Sequence, residues 1–243
     1  MLKLENISLI MPVYNESKTI EKVIRSYYSN FFRYCKNSEF IITEDGSTDG
    51  TRELLKRIQK ELKFRLITSP NRKGYEKARN DALKLAKNST VLFSDSDGQH
   101  EPRDFFALCG EMKKKNLDLV VGSKVDRKDT FYRKIISKFQ NFLYGMVFGL
   151  WLKDANCGFR IYNRMVIDEL VDKVKLLPYA GNAEFVIRAR HNGFRVGEYP
   201  VRHYSREFGQ GVVFSFSKMP RVIFSMIIGV VKLRIELFRN NRM

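Results

Sequence analysis

Short apolar runs alternate with amphipathic stretches through the first half of the chain. Ile7 to Val13 reads as a buried strand, and Ser17 to Phe32 as a helix with Ser17 in the capping position. Phe40 to Thr43 predicts a second strand. It ends in the turn Asp45-Gly46-Ser47-Thr48-Asp49-Gly50, which opens a helix at about Thr51. Arg65 to Thr68, Val91 to Ser94 and Leu117 to Gly122 predict three further strands, with a helix over Tyr75 to Ala86. Strand and helix alternating in this order predict βαβ units and a mostly parallel sheet, an α/β fold class. From about Arg133 the pattern turns more helical and aromatic, which we read as an acceptor- and membrane-facing elaboration of the same domain.

Polar residues gather just after the strands: Asn15 and Glu16, then Glu44 and Asp45, then Asp95 and Asp97. In open α/β sheets ligands bind beyond the carboxyl ends of the strands, so these acids are expected to line one crevice.

With 243 residues, 44% of them hydrophobic, the chain is long enough to bury a full core. Its 44 basic and 27 acidic residues leave a net charge of +17, which suits polyanionic partners: nucleic acid, an anionic membrane or a diphosphate. No zinc-finger spacing, RNP-like aromatic motif or basic stripe supports a nucleic-acid partner. Three cysteines without a CxxC pair argue against a disulfide framework and fit a reducing cytoplasm. The start of the chain lacks the apolar region of a secretory signal. No run reaches the roughly 18–20 apolar residues that a membrane span needs.

Asp95-Ser96-Asp97-Gly98-Gln99 carries the clearest chemistry. Two carboxylates separated by one residue at a strand end can converge on a hard divalent cation, with the Gln99 carbonyl oxygen as a further ligand. Such a cation offsets the charge of a leaving diphosphate. Taken alone, the triplet is also an ordinary Asp-rich turn.

The surrounding motifs decide between those readings. Pro12-Val13-Tyr14-Asn15-Glu16, Glu44-Asp45-Gly46-Ser47, Asn71-Arg72-Lys73-Gly74 and Asp95-Ser96-Asp97 occur in that order after successive strands. Together they resemble glycosyltransferase family 2, inverting enzymes of the GT-A fold, and within it the dolichyl- and polyprenyl-phosphate sugar synthases. The resemblance extends from about Ile7 to Gly211. It implies a GT-A, Rossmann-like sheet flanked by helices, and Mg²⁺ or Mn²⁺ held by Asp95, Asp97 and Gln99. It further implies a nucleotide-sugar pocket from Pro12, Tyr14, Glu16, Asp45, Lys73, Asp95, Ser96 and Lys124. Glu44 replaces the usual first Asp of Asp-Asp-Gly-Ser, and Lys124 stands where the family carries Arg, without its bidentate fork. Asp154-Ala155-Asn156-Cys157-Gly158-Phe159-Arg160 resembles a segment of the polyprenyl-phosphate enzymes. His203-Tyr204-Ser205-Arg206-Glu207-Phe208-Gly209 resembles the family's late loop. Arg160 and Arg206 are thereby the expected ligands of an acceptor phosphate. His203 reads as structural rather than as a base, because it lacks a paired carboxylate motif.

Relatives that glycosylate hydroxyls carry a Glu-Asp pair where this chain has Gly181-Asn182-Ala183-Glu184, so Glu184 is the one acid left there. A phosphate acceptor is already a nucleophilic anion and needs no base. Asp154 and Glu184 are expected as positioning groups, Glu184 also as a weak base candidate. The expected reaction moves a hexose-type sugar from a UDP- or GDP-sugar to a polyprenyl or dolichyl phosphate. The alternatives are transfer to a saccharide hydroxyl of a cell-surface glycan and, from another class, a basic nucleic-acid-binding protein. Lys134 to Leu152 and Met219 to Arg239 combine apolar faces with Lys and Arg, as helices lying on a membrane do. Residues 1–211 are expected to be the catalytic domain and 212–243 an amphipathic helical segment, on the cytoplasmic face of a membrane.

Overall fold

The computed structural model describes residues 4–125, 131–206 and 219–240. The first short strand, β1 (Leu4–Glu5), lies apart from the main sheet, and β2 (Ile7–Val13) follows with all seven residues buried. A strand apolar on both sides belongs inside a parallel sheet covered on both faces. Helix α1 (Ile20–Asn30) buries Ile20, Val23, Ile24 and Tyr27, one face at 3.6 spacing. The expected Ser17 cap is corrected. The helix starts at Ile20, with Thr19 in the cap position, and the Ser17 N–H donates to the Asp49 carboxylate at 3.0 Å, tying this loop to the next turn.

The chain continues through β3 (Cys35–Lys36), which pairs with β1, then β4 (Glu39–Glu44), α2 (Thr51–Gln59) and β5 (Arg65–Thr68). Next come α3 (Tyr75–Lys84), β6 (Thr90–Ser94), α4 (Asp104–Lys114), β7 (Leu119–Val125) and α5 (Phe131–Phe148). The last elements are β8 (Phe159–Asn163), α6 (Arg164–Leu170), α7 (Gly181–His191), β9 (Val196–Arg202) and α8 (Met219–Asn240).

Seven strands form one sheet in the order β5-β4-β2-β6-β8-β7-β9. Every pairing is parallel except those of β8, which runs antiparallel between β6 and β7. The sequence pattern misses β8 and β9. In β8 a fully buried Arg160 interrupts the apolar run, and β9 sits at an edge, where Pro200 costs no ladder partner. The chain leaves β2 toward β4 and β5 on one side, then returns to β6 on the other. That reversal opens a crevice beyond the carboxyl ends of the central strands.

Helices α5 and α8 pack against each other. Val230, Leu233 and Leu237 of α8 join the main core, and its Glu236 pairs with the buried Arg188 of α7 at 2.7 Å. The boundary expected between residues 211 and 212 lies outside the described residues.

Candidate active site

A cavity of about 880 Å³ occupies that crevice, within the roughly 300–1,000 Å³ range of small-molecule sites. At one end lie Pro12, Tyr14, Glu16 and Asp45 from the turns after β2 and β4. The turns are tied to each other. Asn15 adopts φ 52°, receives the Thr48 N–H at 2.9 Å and donates its own N–H to Ser47 Oγ at 3.0 Å. Gly46, at φ +71°, has the Arg72 backbone nitrogen 2.5 Å from where a Cβ would stand, so only glycine lets the loop after β5 approach. The Asp45 carboxylate secures that loop by accepting the N–H groups of Lys73 (2.8 Å) and Gly74 (3.0 Å).

This arrangement reassigns the cation of the loop. Lys73 turns away from the cavity to pair with Asp81 at 3.0 Å, and Arg72 instead lies over the Tyr14 ring, 4.1 Å from its centroid. An Arg on a Tyr face is a favourable cation–π contact. Glu44 points inward to Arg52 (2.7 Å) and the Ser47 N–H, a structural task that explains its replacing Asp there.

Asp95, Ser96, Asp97 and Gln99 form the middle of the cavity, just after β6. Asp95 accepts a 2.8 Å hydrogen bond from the Tyr75 hydroxyl, and Gly158 passes so close that a Cβ there would collide with its carboxylate. Asp97 accepts the Gln99 N–H at 3.1 Å. The Gln99 amide nitrogen donates to the Tyr204 carbonyl at 3.1 Å, which leaves its oxygen as the atom to face a cation. Burial, then the charge of Asp97, pushes the Asp95 carboxyl up to about 6, against the Tyr75 hydrogen bond and the charges of Lys124 and Arg160. Two acids crowded in this way are relieved by a divalent cation. Among the described residues no three His, Cys, Asp or Glu side chains cluster around a point. Asp95 and Asp97, with the Gln99 oxygen, fit a Mg²⁺ or Mn²⁺ ion that takes two carboxylates and completes its shell with phosphate oxygens and water.

Lys124 and Arg206 bring positive charge to the cavity wall. Lys124 stands 3.7 Å from Asp154, and Arg206 pairs with Glu16. Burial raises the Glu16 carboxyl above its usual range, and Thr19 and Arg206 oppose it. At the far end Ile136, Ser137 and Gln140 of α5 form a wall with Pro178 and Tyr179.

Besides Lys73, two expected site residues lie elsewhere. Arg160 is fully buried outside the cavity lining, and its guanidinium donates to the carbonyls of Cys157, Ala155 (3.2 Å) and Asn182 (2.9 Å), so it holds the 154–160 turn. Glu184 is likewise fully buried. It accepts the N–H groups of Lys175 (3.1 Å), Leu176 (2.6 Å) and Leu177 (2.8 Å) and pairs with Arg188 at 2.8 Å. Its carboxylate braces a loop and is neither base nor ligand here. His203 is buried edge-on to His100, with ring centroids 5.6 Å apart, outside the cavity lining. Arg72, Tyr75, Asn156, Tyr179 and Asn182 line the cavity without having been singled out. Within the Asn71-Arg72-Lys73-Gly74 motif it is Arg72, not the expected Lys73, whose side chain lines the cavity.

The model of glycosyl transferase family 2 matches residues 8–171. The chain belongs to glycosyltransferase family 2. Dodecaprenyl-phosphate galacturonate synthase of Rhizobium johnstonii is 30% identical over 228 residues, covering 91% of this chain and 65% of that protein. Undecaprenyl-phosphate 4-deoxy-4-formamido-L-arabinose transferase of Salmonella choleraesuis is 26% identical over 229 residues, covering 92% and 67%. The chain thus spans about two thirds of the length of these relatives. Glucosyl-3-phosphoglycerate synthase from Mycobacterium tuberculosis, in complex with Mn²⁺, uridine diphosphate and phosphoglyceric acid, superposes with a TM-score of 0.70 at 17% identity, covering 94% of this chain and 78% of that one. At that identity the likeness establishes the fold of this glycosyltransferase, which is GT-A.

Proposed function

We propose that this family 2 glycosyltransferase moves a hexose-type sugar from a nucleoside diphosphate sugar to a polyprenyl phosphate, at a membrane surface and with inversion. One observation carries the reading. A single cavity runs from the acidic, aromatic rim of Tyr14, Asp45, Asp95 and Asp97 to the inner face of α5, whose outer face exposes Ile135, Phe139, Phe142 and Met146. Donor and lipid acceptor would enter from its two ends. Both relatives carry polyprenyl phosphates in their names, which supports the same acceptor class.

Tyr14 and Arg72 would flank the base, with Asp45 beside them. Asp95 and Asp97, with Gln99, would hold Mg²⁺ or Mn²⁺, which when bound screens the charge of the departing diphosphate. Lys124 and Arg206 would meet phosphate oxygens, and Arg206 would exchange its present partner Glu16 for one. An acceptor phosphate oxygen attacks the anomeric carbon as the bond from that carbon to the diphosphate oxygen breaks. The attacking oxygen is already ionised, so the reaction does not need the proton acceptor that Glu184 fails to be. Holding both substrates in line and stabilising charge supply most of the acceleration.

No helix among the described residues is long and apolar enough to cross a membrane. In α8, Phe224, Ile227, Ile228, Val231, Ile235 and Phe238 are exposed, and Lys232, Arg234 and Arg239 lie among them. With α5 they would form an interfacial face attracted to anionic lipid, about 1 kcal/mol per basic residue near the surface. Residues 1–211 would then be the catalytic domain and 212–243 its membrane-contacting segment, peripheral on the cytoplasmic face.

The test is product analysis with UDP- and GDP-sugars against a C55 polyprenyl phosphate and an oligosaccharide acceptor. Sugar on the lipid phosphate is expected. Sugar found on the oligosaccharide and never on the lipid would overturn the acceptor assignment.

A further inference from the structure

Tyr75 is a residue that neither the sequence motifs nor the family resemblance singled out, yet its hydroxyl reaches the half-buried Asp95 carboxylate in the cavity lining. The directions of the hydrogen bonds around it are set by chemistry. Arg79 is fully buried and can only donate, so the Asn182 side-chain oxygen, 3.3 Å from Arg79 Nη1, must be the atom that faces it. The Asn182 amide nitrogen then faces Tyr75 and donates to its hydroxyl oxygen at 3.1 Å. With that oxygen accepting, the Tyr75 proton is directed to Asp95 Oδ1 at 2.8 Å. Arg79 is itself fixed by Asn80 Oδ1 (2.7 Å from Nη2) and Glu76 (2.6 Å). The chain Arg79, Asn182, Tyr75, Asp95 therefore has one donor sense from end to end and links α3 and α7 to the turn after β6.

We infer that Tyr75, oriented by Asn182 and Arg79, is a positioning residue that fixes the orientation in which the Asp95 carboxylate would receive the cation. The inference rests on the assignment of Asp95 and Asp97 as the divalent-cation site and adds the group that aims the first of them. Partners that orient a metal ligand typically contribute about 10–100-fold in metal affinity when removed.

The test is direct titration of the full chain with Mn²⁺ alone, reading free Mn²⁺ by electron paramagnetic resonance, on wild type, Tyr75→Phe, Asn182→Leu, the double variant and Asp97→Ala. Tyr75→Phe keeps the ring and loses only the hydroxyl. Its Kd for Mn²⁺ is expected to rise about tenfold, with the circular dichroism spectrum unchanged. Asn182→Leu is expected to weaken binding through the same hydroxyl, so the double variant should be no worse than the weaker single one. Should Tyr75→Phe fail to fold, Asn182→Leu carries the comparison on its own. Wild-type affinity in a folded Tyr75→Phe, or in Asn182→Leu if that is the variant that folds, while Asp97→Ala loses Mn²⁺, overturns the role of Tyr75 and leaves the cation site standing. Unchanged binding in Asp97→Ala overturns the cation site, and the inference with it.

Discussion

At the scale of single residues, the same side-chain types serve opposite ends. Arg206 and Arg160 both follow motifs that suggest phosphate binding, but the first lines the cavity while the second is fully buried among backbone carbonyls. Replacing Arg160 with Leu removes the donors of three carbonyls in the 154–160 turn and α7. A charged hydrogen-bond donor contributes about 1.5–3 kcal/mol, so urea denaturation should show a loss of about 3 kcal/mol. A phosphate ligand would instead lower acceptor affinity at unchanged stability. Replacing Asp97 with Ala should abolish metal-dependent turnover while the thermal midpoint stays within a few degrees of wild type, since among the described residues the Asp97 carboxylate accepts a hydrogen bond from the neighbouring Gln99 N–H alone. Near-normal turnover in that variant would remove Asp97 from the cation site. These two residues also mark how far sequence reaches. Asp97 follows a recognisable strand in a recognisable motif, whereas the fate of Arg160 depends on β8 threading between β6 and β7, a pairing no local pattern encodes.

At the scale of elements, legibility follows periodicity. The parallel strands β2, β4, β5 and β6 are short apolar runs between helices with one buried face, and their predicted bounds agree with the structure to within a residue or two. Helix α7 is buried on nearly every side from Gly181 to Ala189, so its pattern has no face to detect. Cavity residues Arg72, Tyr75 and Asn182 escape the sequence pattern for a related reason: loop-to-loop approaches such as Gly46 against Arg72 bring them in, and contact at long separation leaves no periodic trace. Helices α5 and α8 are legible, and their exposed faces yield a test. Phe142 and Phe224 are 57% and 66% exposed, so Glu at both positions should leave the fold intact. Burying one such side chain contributes about 1.5–3 kcal/mol, so the double variant should lose tenfold or more in binding to anionic vesicles, read by co-sedimentation. Equal sedimentation of variant and wild type would remove these helices from the membrane face.

At the scale of the whole molecule, the reversal of strand order between β2, β4 and β6 places the cavity, and the antiparallel β8 threads between β6 and β7 before the chain turns into α6 and α7. Helix α8 is bound to α7 through the Glu236–Arg188–Glu184 contacts, so it moves with the catalytic body rather than as a tether. Helix α5 belongs to both worlds, cavity wall within and apolar face without. With the proposed membrane-bound acceptor, a lipid reaching such a wall would arrive by lateral diffusion in two dimensions, and its effective concentration would be a mole fraction of the surface. Turnover should therefore fall in proportion when inert detergent dilutes the polyprenyl phosphate within mixed micelles at constant bulk amount. A water-soluble short-chain prenyl phosphate should be insensitive to the same dilution. Equal insensitivity of the long-chain acceptor would mean that it arrives from bulk water.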